Sequence, residues 1–157
     1  MRKHGLMLFA LFLAGCQTTT TTDVNSAWFK IRPGSKLVLN QPVEIPAGEA
    51  HIDLQNGQLS GGVDEYTVNC SFEIENLGPH TVKPDTFQIT DASDSQEWVS
   101  QPDIMRFYKE LRLRSEHQPE VLKLVCQDWA GPLLGRSVTV GEIEKAVGTY
   151  FTFKFAP

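Results

Sequence analysis

Two cysteines, Cys70 and Cys126, are the strongest chemical signal in the body of this sequence. A redox pair asks for a Cys-x-x-Cys spacing with an exposed thiolate, and neither cysteine has such a neighbour. Past the N-terminal segment the histidines are His51, His80 and His117. None stands two or four residues from another or beside a cysteine, whereas zinc sites draw on closely spaced ligands, so no metal is expected. Asp91, Asp94 and Glu97 bring three carboxylates into seven residues. Their spacing of three and the missing bend glycine exclude a calcium loop, and the stretch reads as solvated. Gly135-Arg136-Ser137-Val138-Thr139 starts like a nucleophile elbow but ends on Thr139, where that turn has room only for glycine. There is no Ser-x-x-Lys and no Gly-rich phosphate loop. No catalytic residue and no cofactor is therefore assigned.

Binding is better supported than catalysis. Lys109, Arg112, Arg114 and Lys123 make a basic face if their strands pair, with Arg112 and Arg114 projecting together. Guanidinium groups so placed suit the phosphate or carboxylate groups of lipid or cell-wall glycan. Trp98 and Trp129 offer aromatic faces on which a sugar ring could stack, as does Trp28. Arg112, Arg114, Trp98 and Trp129 are the candidate ligand contacts. The plainer alternative is a solvated face of paired charges and tryptophans in the core.

Strands must hold these residues. Tyr66 to Glu75 alternates without a slip, with Tyr66, Val68, Cys70, Phe72 and Ile74 on one side and polar residues on the other, the pattern of a half-buried strand. Leu122, Leu124 and Cys126 are in phase on a second run, Glu120 to Gln127, so a Cys70–Cys126 bond would fasten two distant strands through the core. Further strands are read at Lys36–Asn40, at Val43–Ile45 between Pro42 and Pro46, where a missing amide suits an edge, at Ala50–Gln55 and at Thr86–Thr90. Asn56-Gly57 is a hairpin turn. Gln58–Asp64, Asp91–Gln96 and Asp128–Ser137 read as loops. Ile104, Phe107, Tyr108 and Leu111 have helical spacing, yet Leu111 and Leu113 alternate with Arg112 and Arg114, which favours strand over the second half of that stretch. Thr139-Val140-Gly141-Glu142 fits a capping box, and Ile143, Ala146 and Val147 continue as an apolar stripe up to Gly148, a suitable end. Thr149 to Phe155 closes the chain as a strand, with Phe151, Phe153 and Phe155 on one side. About seven short strands, one short C-terminal helix and frequent turns predict a mainly β fold, an antiparallel β-sandwich or half-barrel.

The N-terminus carries an address. Arg2-Lys3, an apolar run from Leu6 to Leu13, and then Leu13-Ala14-Gly15-Cys16 describe a secretory signal. The run is about half of the ~20 residues that a membrane-spanning helix needs. Leu-Ala-Gly-Cys resembles the lipobox of bacterial lipoproteins, with Cys16 at the modified position. That resemblance implies cleavage before Cys16, a diacylglycerol on its sulfur and an acyl chain on the new amino group. Gln17 is not the aspartate that usually retains such proteins at the inner membrane, so the resemblance implies the outer membrane, with the domain facing the periplasm. Residues 1–15 are thus signal peptide, 16–27 the lipidated start and threonine-rich tether, and 28–157 a single β-rich domain. The ten residues from Gln17 to Ser26 span at most about 35 Å.

With Cys16 committed to lipid, Cys70 and Cys126 are the cysteines left, and export takes them to an oxidising compartment, so a structural disulfide is expected. Without Arg2 and Lys3 the chain has 12 basic and 19 acidic residues, a net charge of -7. Nucleic acid would repel such a surface. The resulting expectation is a non-enzymatic envelope lipoprotein that binds or scaffolds. Its partners would be membrane lipid through Cys16, and either another envelope protein or cell-wall glycan.

Overall fold

Alternation of period two, broken by turn residues, builds most of the sheet. The computed structural model describes residues 21–157, so Cys16 and the lipobox lie outside the described residues. The strands are β1 Lys36–Leu39, β2 Val43–Ile45, β3 His51–Gln55, β4 Gln58–Ser60, β5 Asn69–Ile74, β6 His80–Val82, β7 Asp85–Ser100, β8 Ile104–Arg114, β9 Val121–Ala130 and β10 Phe151–Lys154. Helix α1, Val140–Val147, precedes β10. Eight strands form one antiparallel sheet in the order β10-β1-β7-β8-β9-β5-β3-β4, curled into a half-barrel, while β2 and β6 pair separately.

The core fills the inside of the curl. Phe72 on β5, Leu124 on β9 and Leu111 on β8 are register partners in one row, and all three are fully buried. The Phe72 ring packs edge-on against Phe87 and Phe151, with centroids 6.2 and 5.1 Å away. Helix α1 closes the opening by packing on β3, β5 and β10 with Val140, Ile143, Ala146 and Val147 buried. An eight-residue helix is marginal in isolation, so this docking and its cap hold it. The cap is complete: Thr139 Oγ1 accepts from the Glu142 amide at 3.3 Å, and Glu142 Oε2 accepts from the Thr139 amide at 2.9 Å. The helix stops at Gly148, at φ +55°, where a Cβ would run into the backbone of Gly57. Gly57 follows Asn56 in the β3–β4 turn, both at positive φ, and its amide donates to the Ala146 carbonyl at 2.9 Å.

Several expectations need correction. Asp91–Gln96 is not a loop but the middle of the 16-residue β7. Opposed charges sustain it: Asp94 and Lys109 are register partners and ion-paired, and Arg106 Nη1 meets Glu97 Oε1 at 2.8 Å. All of Ile104–Arg114 is strand, and the helical spacing there combined residues of both faces. Gln58–Ser60 is a strand, and β9 continues through Trp129 to Ala130. Tyr66 and Val68 precede the central strand, in a turn where Asp64 Oδ1 accepts from the Tyr66 amide at 3.1 Å. β1 lies between β10 and β7, whereas Val43–Ile45, read as an edge strand, pairs with β6 alone. Leu122 breaks phase because the β5–β9 register shifts: Glu73 pairs with Lys123 but Ile74 with Val121. The bulge turns Leu122 outward, leaving it 42% exposed. At the N-terminus, Val24 already packs on the core, and its carbonyl accepts from the Gly141 amide at 2.9 Å.

Candidate functional site

Cys70 and Cys126 are opposite one another on the adjacent strands β5 and β9, with Cα atoms 3.9 Å apart and the sulfurs bonded. The bond therefore joins neighbours in one sheet and does not cross the core between distant strands. Both cysteines are fully buried, which keeps the sulfurs away from exchange partners.

Arg112, Arg114 and Lys123 share the outer face of the sheet and line a depression of about 540 Å³ with Leu122 and Thr90. Its charges are largely matched. Arg112 Nε lies 3.3 Å from Glu110, and Lys123 Nζ lies 2.9 Å from Glu110 and 3.6 Å from Glu73. The hydrogen bond from Lys123 holds the Glu110 carboxyl below its usual value. Burial alone would lower Lys123, but Glu110 and Glu73 outweigh it and raise its pKa. Lys109 does not belong to this face. As an odd-numbered residue of β8 it points inward with Phe107 and Leu111, buried beside Asp94.

The tryptophans stand elsewhere. Trp98 pairs with Met105 on the inner face, and Trp129 pairs with Arg106 on the outer face. Arg112 is six residues farther along β8 than Arg106, about 20 Å away. The structure therefore does not bring Arg112, Arg114, Trp98 and Trp129 together. Their strand phases differ, and sequence distance along β8 keeps them apart.

What does converge is a charged cluster beside the start of α1, between β9, the 131–139 segment and the helix. Asp128 projects inward from β9 and is 5% exposed. Arg136 is ion-paired with it and reaches Glu142 Oε1 through Nη2 at 2.6 Å. Burial pushes the Asp128 carboxyl up, with Arg136 opposing and Glu142 and Asp64 reinforcing. Asp128 Oδ1 has no hydrogen-bond partner. Burial would also raise Glu142, but its bonds to Thr139 and the Arg136 charge prevail and hold it low. Beside this cluster is a cleft of about 310 Å³ whose rim includes Asn56, Tyr66, Thr67 and Lys145. The exposed Tyr66 ring stands edge-on to Trp129 at 5.9 Å.

Sequence reasoning missed this cluster because Asp128–Ser137 read as loop and its ion pairs bridge separate elements. One signal was present: Glu142 already had a structural role in the capping box, and Arg136 lies six residues before it. Ser137, the elbow-like residue, donates to Asp94 Oδ1 at 3.3 Å. The histidines sit with other carboxylates, His80 with Glu120 at 3.1 Å, His117 with Asp85 at 3.6 Å, and His51 3.9 Å from both Glu49 and Asp53. Among the described residues no three His, Cys, Asp or Glu side chains converge as metal ligands. Comparison with protein-family models, with curated proteins and with solved structures finds no match to this chain.

Proposed function

We propose that this chain is a lipid-anchored outer-membrane protein whose half-barrel faces the periplasm and binds a partner without catalysing a reaction. The arrangement of charge beside the start of α1 supports the binding role. Arg136 is held between Asp128 and Glu142, and Glu142 completes the helix cap, so these groups fix the walls of a cleft. The cleft is at the lower end of the size range of small-molecule pockets, and it suits one compact group of a larger partner.

Two experiments test the halves of this reading separately. Metabolic labelling with a palmitate analogue should mark the wild type and not Cys16→Ser, and equal label would refute the anchor. Crosslinked envelopes should yield a partner with the wild type that a Tyr66→Ala, Lys145→Glu protein no longer captures. Unchanged capture would remove the cleft from the argument. A second reading, a cell-wall glycan as ligand, is favoured by the exposed Tyr66 ring at the rim, where a sugar could lie against it. Soluble glycan fragments should then change Trp129 emission in the wild type and leave it unchanged in Tyr66→Ala.

A further inference from the structure

The end of the sheet farthest from the core carries apolar side chains that nothing in the fold covers. Leu133 is 99% and Leu134 71% exposed, and at the tip of the β7–β8 arm Trp98 is 46% and Val99 40% exposed. These two groups are neighbours. Trp98 pairs with Met105, which pairs with Ala130, so two strand spacings, about 10 Å, separate Trp98 from Ala130. Gly131 follows at once and opens a tight turn in which the Leu134 amide donates to the Gly131 carbonyl at 3.1 Å. No residue of that turn, Pro132–Leu134, is buried. Neither Trp98–Pro102 nor Gly131–Gly135 contains a charged residue, although the chain as a whole is acidic.

The N-terminal tether reaches the fold on the same side. The Val24 carbonyl accepts from Gly141, two residues past the Thr139 cap, and Lys30 Nζ lies 3.7 Å from Asp94 on the β7 arm. Ser137 bonds the same Asp94, so the incoming chain, the 131–139 segment and the arm adjoin. Seven residue steps separate Cys16 from Asp23, a reach of at most about 25 Å. An acylated Cys16 would thus keep this side of the domain close to the headgroups.

We infer that Trp98, Val99, Leu133 and Leu134 form a rim that rests in the phospholipid interface, orienting the half-barrel on the membrane that holds its anchor. The inference rests on the lipid-anchor reading. Tryptophan with aliphatic neighbours is the composition that favours the bilayer–water boundary. The absence of basic residues at the rim makes the contact insensitive to anionic lipid, in contrast to a polybasic patch.

The test uses full-length acylated protein in phosphatidylethanolamine–phosphatidylglycerol vesicles, with and without brominated acyl chains. A Trp28→Phe, Trp129→Phe protein reports on Trp98 alone, and its thermal melt confirms the fold. Bromolipid should quench Trp98 at least twofold, and adding Leu133→Glu and Leu134→Glu should abolish most of that quenching while the protein still floats with the vesicles. Co-flotation with an unquenched Trp98 overturns the rim and leaves the anchor intact. Failure to float overturns the anchor and the rim with it. Protection of Trp98 that rises with protein concentration, without quenching, identifies a second copy as the occupant and also overturns the proposal.

Discussion

Leu122 and Leu124 measure directly what the bulge in β9 does to two side chains of the same type. Strict alternation puts both side chains on the inner face with Cys126. The structure separates them: Leu124 is fully buried between its register partners Phe72 and Leu111, whereas Leu122 stands at the register shift, 42% exposed. Leu→Ala removes three carbons, worth about 2.4 kcal/mol of transfer free energy at 0.8 per methylene. A cavity term adds to this where the surroundings cannot collapse, and at the Phe72–Leu124–Leu111 row they are held by a sheet on both sides. Leu124→Ala should therefore cost about 3–5 kcal/mol. At Leu122 much of the side chain is already in water, and the loss should stay below about 1 kcal/mol. Urea unfolding of the disulfide-intact proteins reads the difference as a shift in midpoint at constant slope. Equal losses at the two positions would place Leu122 in the core and refute the bulge.

Other perturbations test other parts of the fold. Ile143→Ala, on the fully buried stripe of α1, should lower stability by about 2–4 kcal/mol in the same assay, and a loss under 1 kcal/mol would mean the helix is not what closes the half-barrel. Replacing Cys70 and Cys126 together by Ala opens a covalent loop with a sequence separation of 56 and should cost about 4 kcal/mol on chain-entropy reasoning, while thiol counting on denatured, unreduced wild type should find neither cysteine free. At Asp85 burial pushes the carboxyl up, but hydrogen bonds from Ser115, the Thr86 amide and Gln118, with the nearby His117, outweigh it and hold the pKa below its ordinary value. The stability this contributes is present above the ordinary carboxylate pKa of about 4 and is lost as the pH falls through the folded value. Asp85→Asn should flatten the acid limb of the pH–stability curve below about pH 4, and an unchanged limb would show that other carboxylates set it.

Sequence pattern revealed those parts of the fold in which one face is packed and the other wet. Cys70, Phe72 and Ile74 alternate because β5 has the core on one side only. Asn56-Gly57, the Thr139–Glu142 cap and Gly148 were legible because local backbone geometry demands those residue types. The outer arm of β7 was illegible for the opposite reason. From Ser93 to Ser100 both faces meet solvent, so no hydrophobic period marks it, and its pairing depends on charges carried by β8. Lys109 hid the inward phase of β8 by placing an ammonium among apolar neighbours, where Asp94 compensates it. The Asp128–Arg136–Glu142 cluster joins a strand, a connecting segment and a helix, and no local spacing encodes that meeting. Arg112 and Arg114 project together because they share one strand, but their distance from Trp98 and Trp129 depends on register, which sequence alone does not display.

The position of the disulfide also determines how the chain yields to mechanical load. A pull applied to the two ends of the polypeptide can draw out the residues before Cys70 and those after Cys126, but the intervening stretch stays a closed loop. Roughly 190 Å of contour, 56 residue steps at about 3.4 Å each, is withheld from extension. That loop contains β6, β7, β8 and nearly all of β5, together with the first half of β9. Tension entering from the N-terminal side first loads the Val24–Gly141 bond and the start of α1, so the helix and the β10–β1 margin act as the sacrificial elements, and the long β7–β8 arm remains tied whatever happens to them.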